Sequence, residues 1–166
     1  MTLIRRVATA RDVAAVDALL ARSYPVLLKP DYPPSVLVTI LPLISRAQPS
    51  LVTCGTYHVV EEGGAILAAG GWTRGAPRGG AVTPGLGHIR HVVTDHTRTR
   101  EGLGRRLMGD IISEARAAGM RRLEALSTLT AEPFYAAMGF EAREAVDVPI
   151  GPAGLPFRAV RMEAVL

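Results

Sequence analysis

Valine, leucine and isoleucine recur in this chain at two spacings, one helical and one strand-like, and glycines and prolines mark where the spacing changes. Leu3 to Val7 predicts a short strand. Thr9 is placed to cap a helix from about Ala10 to Ser23, with Val13, Val16, Leu19 and Leu20 on one face. Asp31-Tyr32-Pro33-Pro34 breaks the chain and opens a second helical segment in which Val36, Ile40, Leu41 and Ile44 are apolar. Tyr57 to Val60 and Ala65 to Ala69 flank Glu61-Glu62-Gly63-Gly64, which predicts a hairpin. From Thr73 to Gly87, glycines and prolines predict a flexible loop, too short and too central to separate two domains.

The second half predicts a strand near His88 to Thr94 and a helix from about Gly102 to Ala118 with Leu103, Leu107, Ile111, Ile112 and Ala115 at helical spacing. Gly119 ends that helix. Leu123 to Thr128 reads as a strand, Glu132 to Met138 as a short helix, and Gly139 as the turn into another strand. A last hairpin joins Ala145 to Ile150 with Phe157 to Met162 across Gly151-Pro152-Ala153-Gly154. The order β-α-α-β-β-β-α-β-α-β-β predicts an α/β fold, a mixed central sheet with helices on both faces, occupying residues 1–166 as a single domain.

Composition narrows the function classes. Hydrophobic residues make up 48% and charged residues 20% of the 166 residues, the proportions of a folded domain with one core. The net charge of +4 comes almost wholly from arginine, Lys29 being the only lysine, and the arginines are scattered from Arg5 to Arg161. With 5% aromatic residues and no continuous basic helix face, this argues against a nucleic-acid partner. Cys54 is the only cysteine, and its apolar neighbours Leu51-Val52-Thr53 predict a buried structural thiol. The four histidines form no HExxH pattern, so no metal is implied. The start of the chain lacks the long apolar run of a signal peptide. Val36 to Ile44 is far short of the ~20 residues a membrane span needs, so a cytoplasmic location without membrane attachment is the expectation.

The informative segment is Val92-Val93-Thr94-Asp95-His96-Thr97-Arg98-Thr99-Arg100-Glu101-Gly102-Leu103-Gly104-Arg105-Arg106-Leu107. It reads as a strand, a polar loop and a glycine-flanked helix start. A helix N-terminus offers unpaired N–H groups and a partial positive charge, and glycines remove the Cβ atoms that would hold a bulky anion away. Gly102 and Gly104 would equally let the helix pack closely on the sheet. There is no Gly-Lys-Ser/Thr ending for a P-loop, and a GxGxxG pattern would need glycine where Leu107 stands. The cradle fits another phosphorylated cofactor, and Arg100, Arg105 and Arg106 would add attraction.

A second signal is Pro133-Phe134-Tyr135-Ala136-Ala137-Met138-Gly139-Phe140. With both segments in this order, the chain resembles the GCN5-related N-acetyltransferases. Their cofactor signature is Gln/Arg-x-x-Gly-x-Gly/Ala at a helix start after the fourth strand, and an aromatic-Tyr-x-x-x-Gly-Phe segment follows the fifth. The resemblance implies that Val92, Val93 and Thr94 hold the pantetheine arm of acetyl-CoA (coenzyme A) as an added strand. It implies that Thr99, Arg100, Glu101, Gly102, Leu103, Gly104 and Arg105 bind its diphosphate, mainly through main-chain N–H groups. Thr99 stands where the family usually has glutamine or arginine, which weakens side-chain contacts but leaves the main-chain cradle intact. It also implies an acetyl-CoA-dependent N-acetyltransferase acting on a primary amine of a small molecule, peptide or protein by direct attack.

Such a reaction needs a deprotonated amine, a donor for the developing negative oxygen and a proton for the departing thiolate. A main-chain N–H near Val93 is a candidate for the second. Tyr135 is the catalytic candidate for the third, while its ring could also serve only to pack the short helix beside Phe134. For the base, His91, Glu124 and water remain open. By period-two alternation His88 and Arg90 face away from His91. Tyr24, Leu28, Lys29, Asp31, Tyr32, Trp72 and Phe157 lie where such folds select their acceptor, but core or lid packing is open to each, and the acceptor is unspecified. The alternative function is an inactive acyl-CoA-binding sensor or subunit. A homodimer paired through the C-terminal strands is expected by analogy.

Overall fold

The computed structural model describes residues 2–166. Seven strands form one sheet: β1 (Leu3–Val7), β2 (Tyr57–Glu62), β3 (Ala65–Thr73), β4 (Leu86–Thr94), β5 (Arg122–Thr128), β6 (Glu141–Ile150) and β7 (Leu155–Val165). Their spatial order is β1-β2-β3-β4-β5-β7-β6, as expected for a mixed α/β sheet. Every neighbouring pair is antiparallel except β4 and β5. A parallel pair needs a crossover, and helix α4 (Leu103–Ala117) supplies it.

The helices divide between the two faces according to their apolar stripes. On one face Leu103, Leu107, Met108, Ile111 and Ala115 of α4 pack on Ala68, Leu123 and Met162. On the other, Val16, Leu19 and Leu20 of α1 (Val13–Leu27) pack on Val59, Ile66, Ala69 and Val93. Each fully buried leucine, isoleucine, valine or methionine among them contributes roughly 1.5–3 kcal/mol. Helix α2 (Pro34–Ile44) lays Leu37 and Ile40 against Leu28, Tyr32 and Phe157. The last two helices are α3 (Pro49–Val52) and α5 (Glu132–Ala137).

Several boundaries move from the expectation. The first helix begins with a 3-10 turn, Ala10–Asp12, because the Asp12 carboxylate takes the Thr9 N–H (2.7 Å) and both guanidinium nitrogens of Arg6 (2.8 Å each). It then runs through Pro25 to Leu27, and α2 likewise continues through Pro42. Helix α3 was not foreseen, since four residues show no periodicity. Cys54 is exposed, contrary to the buried thiol expected: it follows α3 in a surface turn completed by Gly55 at φ +93°. Among the described residues no helix is long and apolar enough to cross a membrane, and no cluster of His, Cys, Asp or Glu could hold a metal.

Candidate active site

Strands β4 and β5 pair over only three positions, Leu86↔Arg122, Gly87↔Leu123 and His88↔Glu124. Beyond them each strand stays bonded to its outer neighbour, β4 to β3 as far as Thr94 and β5 to β7 as far as Thr128. The sheet therefore splits between β4 and β5, leaving inner edges with unpaired main-chain groups.

A bulge in β4 shapes the wall of this split. Ala69 pairs with Val93 but Gly71 pairs with Arg90, so His91 and Val92 together face Gly70. His91 has φ +46°, which is strained for a non-glycine residue. Two neighbours hold it there. The Tyr57 hydroxyl, on a fully buried side chain, donates to the His91 carbonyl (2.9 Å). Gly70 admits Val92, whose Cγ2 would lie 2.8 Å from any Cβ at that position. The bulge also breaks the strand alternation at His91, so a face assignment by period two cannot be extended across this residue. Burial, with Arg90 nearby, pushes the His91 imidazole down to about 4 and keeps it neutral.

The loop after β4 ends in the phosphate-cradle candidate. Gly102 precedes α4 at φ +80°, and nothing lies within 4 Å of a Cβ placed there; the glycine serves backbone conformation. Gly104 serves close approach, since a Cβ would lie 3.2 Å from the Phe134 ring and 3.4 Å from Thr94 Oγ1. Arg100, at φ +64°, and Arg105 reach the cavity wall. Arg98 also lines it, but its guanidinium is bonded to Glu101 (2.8 Å) and Glu62 (3.2 Å), tying the loop to the end of β2. The Glu101 side chain is thus engaged by Arg98 and lies off the cavity wall. At the base of the loop Asp95 is buried, which alone would raise its pKa, but hydrogen bonds from Thr97 and the Arg22 guanidinium hold the carboxyl at about 2.

Tyr135 projects from α5 and is buried edge-on between Phe134 (5.4 Å) and Phe140 (5.3 Å). Burial, reinforced by the nearby Tyr24 phenol, raises its pKa well above the ordinary value. Tyr135 lines the split, so the packing role and access to the cavity coexist.

These parts enclose one cavity of about 1340 Å³. Val92, Val93, Thr94, Thr99, Gly102, Leu103 and Gly104 all reach it, as do Tyr24, Leu28 and Phe157. Other candidates do not. Glu124 turns to His88 (3.5 Å) and Arg161 (3.6 Å), and Trp72 faces the α4 side, donating to Glu114 (2.8 Å). Tyr32 ties three elements together, stacking on Phe157 (4.7 Å), donating to the Arg158 carbonyl (2.7 Å) and accepting from the Leu129 N–H (2.8 Å). Lys29 is exposed, and Asp31 accepts from Thr130. Neither the Tyr57 buttress nor the place of Arg78 on the wall is visible in the sequence. An isolated tyrosine in a strand carries no sign of a distant carbonyl partner.

Residues 54–163 match the sequence profile of the acetyltransferase (GNAT) domain. The chain belongs to the GNAT family. No curated protein sequence matches it. Among solved structures, a GNAT protein from Rhodopseudomonas palustris described as a class-II aminotransferase superposes over 100% of this chain and 97% of its own, with a TM-score of 0.76 at 17% identity. The PaiA N-acetyltransferase of Thermoplasma acidophilum, solved with coenzyme A, covers 100% of both chains with a TM-score of 0.73 at 9% identity. YncA of Salmonella typhimurium, solved with acetyl-CoA, covers 100% of this chain and 95% of its own, with a TM-score of 0.69 at 16% identity. At such identities these likenesses speak for the GNAT fold.

Proposed function

We propose that this GNAT chain transfers the acetyl group of acetyl-CoA to an amine. The observation that carries the proposal is the split between β4 and β5, with the His91 bulge on its wall and the left-handed Gly102 at its mouth. The cavity is large enough for an extended coenzyme arm, and the open edge of β4 offers N–H and C=O groups to it over Val92, Val93 and Thr94. Main-chain N–H groups at the start of α4, beside Arg100 and Arg105, suit the diphosphate. The fit is to main-chain donors, so Thr99 in place of glutamine or arginine leaves it intact.

When bound, acetyl-CoA supplies a thioester. The amine nitrogen forms a C–N bond to its carbonyl carbon and the C–S bond breaks. A main-chain N–H at the bulge, near Val93, stabilises the negative charge that develops on the carbonyl oxygen. Tyr135, kept protonated by burial, gives its proton to the departing sulfur and regains one from solvent as the products leave. The amine's own proton leaves through water: Glu124 lies off the cavity, and the depressed His91 is too weak a base to hold it.

Calorimetric titration with acetyl-CoA, followed by free-thiol release on a panel of amines, tests the reading. Micromolar binding and turnover of at least one amine are expected. Absence of binding overturns it, and binding without turnover on any amine favours a sensor on the same fold.

A further inference from the structure

The wall of the cavity carries no Asp or Glu among the described residues, yet it carries two arginines away from the phosphate end. Arg90 lies on β4 before the bulge, four residues or roughly 13 Å of strand from Thr94. Arg78 comes from the loop between β3 and β4 and donates to the Pro149 carbonyl of β6. Both arginines, with Gln48, also line a side cavity of about 330 Å³ that includes Thr73 and Ser50.

Arg90 is the unusual one. It is partly buried, and among the described residues its only side-chain hydrogen bond is to Thr73 Oγ1 (3.2 Å), whose own proton goes to the Gly75 carbonyl (2.8 Å). Arg22, Arg98 and Arg161 each meet carboxylates, whereas Arg90 meets none among the described residues. Burial lowers its pKa, and the nearby Cys54 thiol, with no carboxylate beside it, opposes this only in part. A desolvated guanidinium without a counter-ion is costly unless something else supplies the charge. Its planar fork matches a carboxylate.

Resting on the acetyltransferase reading, we propose that the acceptor is an amine that also carries a carboxylate, held by Arg90 with Arg78 beside it. The same positive field, with no acid on the wall, disfavours polyamines and lysine-rich peptides. It also favours the unprotonated form of an amine brought close to Arg90.

The test compares matched acceptors on the native protein: L-amino acids against their carboxamides and against spermidine, by thiol release. The carboxylates should give kcat/KM at least tenfold higher. Arg90→Met should erase that ratio by raising KM for the carboxylates, Arg90→Lys should restore part of it, and acetyl-CoA affinity should stay the same in both. Arg78→Gln should lower the ratio less. Calorimetric titration of N-acetyl-amino acids into the coenzyme-A-loaded native protein gives a second readout, with binding expected for the free acid and not for its amide. Equal values for acid and amide in both measurements overturn the proposal. Failure to bind acetyl-CoA instead removes the underlying reading, which keeps the two outcomes separate.

Discussion

At one end of the cavity, Val92 to Thr94, Thr99, Arg100 and Gly102 to Arg105 line the wall from a single stretch of fourteen consecutive residues, 92–105. At the other, Tyr24, Gln48, Arg78, Arg90 and Phe157 arrive from five separate segments. The first end depends on conformation: a bulge at φ +46°, a helix start at φ +80° and a glycine packed on Phe134. The second depends on charge and shape. Substitutions should therefore act differently at the two ends, with backbone changes disturbing coenzyme binding and side-chain changes disturbing the acceptor or the chemistry.

The sharpest break comes where the two ends meet. Tyr135→Phe keeps the ring packing between Phe134 and Phe140 but removes the hydroxyl proposed as proton donor, and kcat should fall about 100-fold with coenzyme affinity unchanged. A variant as active as the native protein would remove Tyr135 from the chemistry. Next in size is Gly104→Val. Its β-branched side chain must displace Phe134 or Thr94, so coenzyme binding should weaken at least tenfold and stability should drop by about 1–3 kcal/mol. Tyr57→Phe should then lower kcat/KM roughly tenfold and stability by about 1–2 kcal/mol, because the His91 carbonyl loses its donor. Chemical denaturation beside the kinetic assay checks both values.

Two further effects are read as a dependence of stability on pH. His91 titrates at about 4 in the folded chain but near 6.5 unfolded, so the unfolded state binds the extra proton and stability declines as pH falls from about 6.5 through 4. Asp95, held at about 2, adds stability that is complete above pH ~4 and is lost on going down through 2. Melting curves of His91→Gln should lose the first window and keep the second.

The same contrast explains what the sequence displayed. The proposed phosphate cradle rests on glycines at fixed offsets, so Gly102 and Gly104 stand in the residue order as a pattern, and the short helix with Tyr135 follows them. The sheet was legible because the strand alternation and the α4 stripe of Leu103, Leu107 and Ile111 are both local periodicities. The bulge was not, because it arises from the fit of Gly70 and Tyr57 against β4, which no spacing within one strand reports. Continued alternation assigned His91 a face on the assumption that the strand is regular there. Cys54 misled in the other direction: its apolar neighbours Leu51 and Val52 are buried, but the chain has already turned outward one residue before it. The unpaired state of Arg90 became visible only when the ion pairs of the other arginines could be compared with it.

The proposed main-chain cradle around Gly104 would hold acetyl-CoA in the split sheet. Isothermal titration of acetyl-CoA into the native protein and Gly104→Val addresses it directly. One coenzyme per chain with micromolar affinity, weakened at least tenfold in the variant, is the predicted result; no binding to the native protein, or equal binding to both, would contradict it.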